Sequence, residues 1–70
     1  MTEYILSHAV GKDITLVYDG PHGISQRTIH ILTVNDNLLR GLEDGKMRLF
    51  RRDRVLAADW QHKKRLIVQN

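Results

Sequence analysis

Residues 46–55 read KMRLFRRDRV and hold five of the chain's eleven lysine and arginine residues. In an extended strand, successive side chains point to opposite faces, so Met47 and Leu49 share one face while Arg48 and Phe50 share the other. A bent strand accommodates this pattern if Phe50 enters the core and the guanidinium groups stay at its border, where their planar forks suit phosphate or carboxylate. The alternative interpretation is a solvated basic edge strand, protected from aggregation by its charge.

The length and composition of the chain limit what this strand can belong to. A chain of 70 residues forms one small domain, which buries only about 60% of its unfolded surface and has little room for a deep enzyme pocket. The sequence has no cysteine, and therefore no disulfide or thiolate metal site. It also has no basic leader and no run of about 18 apolar residues, so we expect a soluble, cytoplasmic protein without a membrane segment.

The net charge of +3 is unevenly distributed along the chain. Residues 1–45 carry three basic and six acidic side chains, a balance of −3, whereas residues 46–70 carry eight basic and two acidic ones, a balance of +6. Such asymmetry favours an anionic partner, with nucleic acid first, because phosphates attract lysine and arginine largely without regard to sequence. A surface charged only for solubility remains the alternative.

The N-terminal segment is predicted to form a short helix over residues 3–10. Thr2 is a suitable N-cap, and Gly11 is suitably placed to end the helix. Alternation would also allow an edge strand, but the glycine break favours a helix that packs one face on the following segment. The residues at helical spacing are Tyr4, Ile5, His8 and Ala9.

The rest of the chain is predicted to form short strands joined by tight turns. Residues 20–23, GPHG, and the Asp44-Gly45 pair are strong turn signals. The second strand should bend, because Ile29 and Ile31 occupy one face but Leu32 and Val34 the other. Residues 52–54 should form a short turn or a single 3₁₀ loop. The predicted strands cover residues 13–19, 24–34, 38–42, 47–51 and 55–60, with a possible sixth at 65–69.

These elements predict a mainly β domain, a small five- to six-stranded antiparallel barrel over residues 13–69 with a short N-terminal helix. Residues 65–69 pair back on the fifth strand, add to a neighbouring subunit, or form a tail. The order of the helix, ITLVYDG at 14–20, SQRTI at 25–29 and LLRGLEDGKMRLFRRDRV at 38–55 resembles the WYL domain, an Sm-like, SH3-type β-barrel of bacterial regulators. Of the triplet that names the family, only Leu39 is kept.

The resemblance implies a ligand-sensing or nucleic-acid-binding module of transcription regulation, whose arginines receive single-stranded nucleic acid or a nucleotide. The basic stretch at 46–55 adds Arg52 to these candidates. Near the C-terminus, Lys63, Lys64 and Arg65 form a secondary basic patch. Simpler interpretations remain open for these residues. Tyr18 would be a half-buried core residue, and Arg27 or Arg54 would pair with an acidic neighbour. The candidate ligand-binding residues are Tyr18, Arg27, Arg48, Arg52 and Arg54.

Nothing in the sequence favours catalysis. The four histidines are scattered without metal-ligand spacing, no nucleophile elbow is present, and the pair Glu43-Asp44 is expected in an exposed turn. We therefore predict a non-enzyme without metal or cofactor. The alternative to anion binding is a protein–protein interaction module, in which the edge strands, Trp60 and residues 67–68 form a homodimer or dock on a larger protein.

Overall fold

Five antiparallel strands form a single sheet that is preceded by a short helix. The computed structural model describes residues 2–61. The strands lie in the order β4-β3-β2-β1-β5, so β4 and β5 are the two edges. The elements are α1 Thr2–Ser7, β1 Asp13–Gly20, β2 Gly23–Val34, β3 Leu38–Glu43, β4 Lys46–Arg51, a 3₁₀ turn at Arg52–Arg54, and β5 Val55–Trp60.

The prediction of a mainly β fold with a leading helix is confirmed, and each predicted strand from β1 to β5 lies within one residue of its observed bounds. No ladder of backbone hydrogen bonds joins β4 to β5 within residues 2–61, so closure into a barrel stays a prediction. The possible sixth strand at 65–69 lies outside the described residues. In the described part of the chain, no helix is long and apolar enough to cross a membrane.

The helix is shorter than the sequence predicts, because it ends at Ser7 rather than at residue 10. The N–H of His8 donates to the carbonyl of Ile5, three residues back, at 3.1 Å, and this tightened turn ends the α-helical pattern. The N–H of Gly11 then donates to Ile31 of β2 at 2.8 Å, so the glycine already belongs to the edge of the sheet.

The buried face of the helix also differs from the predicted one. Ile5 and Leu6 of the helix, and Ala9 just beyond it, are at most 1% exposed, whereas Tyr4 is 58% exposed and stacks on the ring of His8. Leu6 was not among the residues predicted for this face. With six residues in the helix, packing against the sheet rather than helical periodicity decides which side chains are buried.

The inward faces of the strands follow the predicted alternation. In β1, Ile14, Leu16 and Tyr18 are buried, with Thr15 and Val17 between them on the other face. In β2, the register with β3 shifts between Ile31 and Thr33, which is the predicted bend. The buried core contains Ile5, Leu6, Ala9, Ile14, Leu16, Tyr18, Ile29, Ile31, Leu39 and Phe50.

Gly41 allows β3 to approach β2 closely. A Cβ atom at this position would lie 2.5 Å from Cγ2 of Ile29 and 2.6 Å from the carbonyl oxygen of His30. Because one of these neighbours is backbone, the clash cannot be relieved by a rotamer change alone.

We therefore expect Gly41→Ala to lower the free energy of unfolding by about 2 kcal/mol, as overpacking in a core typically does. Gly20→Ala is the matched control, because its Cβ would meet its nearest atom, in Tyr18, at 3.5 Å, an ordinary contact. Urea denaturation of both variants measures the difference. Equal stability of the two variants would contradict the proposed close approach.

Candidate functional site

A carboxylate between two arginines forms the centre of the candidate site. Glu43, the last residue of β3, has an oxygen 2.9 Å from a terminal guanidinium nitrogen of Arg27 in β2. The same oxygen lies 3.7 Å from Nε of Arg48 in β4. Only 19% of the Glu43 side-chain surface is exposed, so these ion pairs are screened less than surface pairs. Glu43 therefore holds two cations of different strands next to each other.

The β3–β4 hairpin places Glu43 and Arg48 on one face of the sheet. Asp44 and Gly45 have φ angles of 52° and 78°, the left-handed backbone that an Asp-Gly hairpin turn requires. This turn pairs Glu43 with Lys46 and Gly41 with Arg48 across the two strands. Since Phe50 lies two residues beyond Arg48, both side chains share the inward face of β4.

Two buried rings lie next to Arg27. The guanidinium carbon of Arg27 is 5.7 Å from the centre of the Phe50 ring, within the range of a cation–π contact. Tyr18 meets Phe50 edge to face, with ring centres 5.0 Å apart. Phe50 is only 3% exposed, which confirms that it enters the core between basic neighbours. Phe50 thus packs against Arg27, and neither buried ring is free to stack on a ligand.

The hydroxyl group of Tyr18 already has a structural partner. It accepts a hydrogen bond of 2.8 Å from the backbone N–H of Arg51, at the end of β4. The side chain is 8% exposed, so the tyrosine is part of the core, with its hydroxyl at the border of β4. Its contribution to the site is to position β4 and Phe50.

Arg27 and Arg48 retain capacity to bind a further group. Arg27 donates from Nε to Oγ of Ser25 at 3.1 Å and from one terminal nitrogen to Glu43. Arg48 makes no hydrogen bond within residues 2–61, and its closest approach to Glu43 is the 3.7 Å from Nε. The Arg48 side chain is 51% exposed. The cluster of Arg27, Glu43 and Arg48, here called the arginine cluster, has a formal charge of +1 and accessible donors.

The other two predicted arginines, Arg52 and Arg54, have partners outside the arginine cluster. Arg54 donates to the carbonyl of Asp19, the neighbour of Tyr18, at 3.3 Å, which leaves it exposed beside β1. Arg52 does not join the arginine cluster. Its guanidinium group donates to the carbonyl of Asn35 and to a carboxylate oxygen of Glu3, both at 2.8 Å, and only 17% of its side chain is exposed. It connects the helix to the turn between β2 and β3. The predicted basic patch of Lys63, Lys64 and Arg65 lies outside the described residues.

Glu43 and Ser25 are the members of the site that the sequence did not indicate. The prediction that Glu43 lies in an exposed turn is wrong, because β3 extends through it and its side chain points inward. The alternation of Leu39, Gly41 and Glu43 carries this signal, since the first two are buried on the same face.

Two of the three described histidines contact a neighbouring polar group. Nδ1 of His8 donates to the carbonyl of Tyr4 at 2.8 Å, and Nδ1 of His30 lies 2.7 Å from a carboxylate oxygen of Asp13. Within residues 2–61, no three histidine, aspartate or glutamate side chains group closely enough to hold a metal ion.

No protein-family model, no curated protein and no solved structure matches this chain. The resemblance to the WYL domain therefore stays a prediction from the motifs quoted above.

The role of the Tyr18 hydroxyl leads to a stability prediction. Tyr18→Phe leaves the Arg51 N–H without its acceptor, and we expect the free energy of unfolding to fall by about 1 kcal/mol. Tyr4→Phe is the control, because Tyr4 is 58% exposed and its hydroxyl has no partner among residues 2–61. Urea denaturation compares the two variants, and an equal effect would contradict a structural role for this hydrogen bond.

Proposed function

We propose that this protein is a non-catalytic binding module whose arginine cluster receives an anionic ligand, with single-stranded nucleic acid or a nucleotide as the first candidates. The observation that carries the proposal is the half-exposed side chain of Arg48, which makes no hydrogen bond within residues 2–61 and shares the Glu43 carboxylate with Arg27. The proposed setting is a regulatory or accessory role in the cytoplasm.

A phosphate group suits these donors in charge and geometry. Guanidinium groups bind phosphate oxygens through two parallel hydrogen bonds, and such charge-assisted bonds are stronger than neutral ones. Glu43 hydrogen-bonds Arg27 before a ligand arrives, which reduces the entropy that this side chain loses on binding. It also lowers the repulsion between the two arginines in the free protein and leaves the cluster a formal charge of +1 to attract the ligand.

The affinity of this site should depend mainly on charge. Proteins that bind single strands gain about 1–3 kcal/mol per base from stacking on aromatic side chains. Phe50 and Tyr18 are 3% and 8% exposed, so neither offers a ring face to a base. Lys46, which pairs with Glu43 across the hairpin, is exposed and adds to the positive charge nearby. We therefore expect binding that weakens steeply as the salt concentration rises.

The test is a fluorescence-anisotropy titration of labelled single-stranded RNA and DNA with the full chain at two salt concentrations. Arg48→Gln should weaken binding by about tenfold, because it removes the free donor pair, and should also reduce the salt dependence. Arg40→Gln is the matched control. Arg40 lies on the outward face of β3, opposite Leu49, and its removal lowers the net charge by the same amount.

Two outcomes would contradict the proposal. Equal losses for the Arg48 and Arg40 variants would mean that the protein attracts nucleic acid through its overall charge and has no site at the arginine cluster. Absence of binding by the unmodified protein at low salt, both to the single strands and to a labelled nucleoside triphosphate, would remove the first candidate ligands.

A further inference from the structure

Strand β4 presents free backbone groups on its outer edge. The N–H of Arg52 donates to the carbonyl of Asn37 on the β3 side at 2.8 Å. The backbone N–H and C=O groups of successive residues point to alternate sides of a strand. Since the N–H of Arg52 points towards β3, the backbone groups of Arg51, Leu49 and Met47 point away from it. The N–H of Arg51 donates to the Tyr18 hydroxyl, which agrees with its pointing away from β3. Those of Met47 and Leu49 have no partner strand within residues 2–61.

The side chains along the same strand alternate in chemistry. Met47 and Leu49 are 54% and 63% exposed on the outward face, and Leu38 of the adjacent strand β3 is 38% exposed on that face. Lys46 and Arg48 lie on the inward face. From Lys46 to Leu49, cationic side chains on the inward face therefore alternate with apolar side chains on the outward face.

We propose that this edge, residues 46–49, receives an extended segment of another protein in which acidic and apolar residues alternate. The segment adds to the sheet as a further strand and bonds to the free backbone groups of Met47 and Leu49. Its acidic side chains face Lys46 and Arg48, and its apolar side chains cover Met47 and Leu49. Pairing ends at Arg51, whose N–H is already occupied by Tyr18.

The charges favour a different protein over a second copy of this chain. Pairing two β4 strands would bring the cations of one copy against those of the other, which is unfavourable. The chain also contains no suitable partner sequence, because no two of its acidic residues are separated by a single position. Residues 1–70 therefore do not supply the proposed segment, and the charges favour another protein as its source.

This surface is distinct from the arginine cluster, although the two share Arg48. Met47 and Leu49 point away from Phe50, so a substitution at Leu49 leaves Arg27, Glu43 and the buried rings unchanged. Loss of peptide binding and loss of nucleic-acid binding can therefore be measured separately in the same variants.

The experiment uses the full chain and a fluorescent peptide of alternating glutamate and valine. The control peptide has the same composition, with its acidic and apolar residues in two blocks. We expect the alternating peptide to bind about tenfold more tightly, since only it places charges and apolar groups on opposite faces of the added strand. Equal binding of the two peptides would overturn the proposal, because it would reduce the interaction to general charge attraction.

A matched pair of variants locates the site. Leu49→Asp should weaken binding of the alternating peptide by about tenfold, through lost apolar burial and added repulsion. Leu56→Asp makes the same change on the other edge strand, β5, where Leu56 is 53% exposed, and should have little effect. Equal losses in both variants would place the peptide elsewhere. Both variants should retain single-strand binding to a similar degree.

Hydrogen exchange tests the free backbone groups directly. The amides of Met47 and Leu49 should exchange rapidly in the protein alone and about tenfold more slowly with saturating alternating peptide, as added ladder bonds form. Slow exchange in the protein alone would show that a second copy or another segment of the chain already covers this edge, and would overturn the proposal. Light scattering of the same sample distinguishes those two cases.

Discussion

The burial of Phe50 constrains most of the charged surface of this protein. Side chains of a strand alternate between two faces, so an inward Phe50 also places Lys46 and Arg48 on the inward side and Met47 and Leu49 on the outward side. The aromatic ring is held by edge-to-face contact with Tyr18, whose hydroxyl bonds to the backbone at the end of β4. One packed ring thus defines both the arginine cluster and the exposed edge.

The basic residues of the C-terminal half are less available than their number suggests. Arg48 lies beside Glu43, Arg52 donates to Glu3, and Arg51 pairs with Asp53 through two hydrogen bonds. Two acidic residues of the segment 1–45, Glu3 and Glu43, therefore balance part of the positive charge of residues 46–70. What distinguishes Arg48 within this network is geometry, because it approaches its carboxylate no closer than 3.7 Å, makes no hydrogen bond within residues 2–61 and keeps half of its side chain exposed.

The two proposals differ in the physical basis of recognition. At the arginine cluster, charge and guanidinium geometry act without an available aromatic ring, so recognition of phosphate should be strong relative to recognition of a base. At the edge of β4, backbone hydrogen bonds supply affinity, and the alternation of cations and apolar groups supplies specificity. Because Arg48 belongs to both surfaces, an acidic segment bound at β4 and an anion bound at the arginine cluster should weaken each other.

The sequence by itself determined the strands and the hairpins, because alternation and Asp-Gly or Gly-Pro turns are local properties. It left the position of Phe50 open between the core and a solvated edge, and the structure buries the ring. The sequence also indicated Tyr18, Arg27 and Arg48, through motif positions that the structure places around Phe50. The length of the helix, the inward position of Glu43 and the separate position of Arg52 were decided by the tertiary structure. Each of these depends on a partner distant in sequence, such as Ile31 for Gly11, Arg27 for Glu43 and Glu3 for Arg52, and local patterns contain no information on which distant groups will meet.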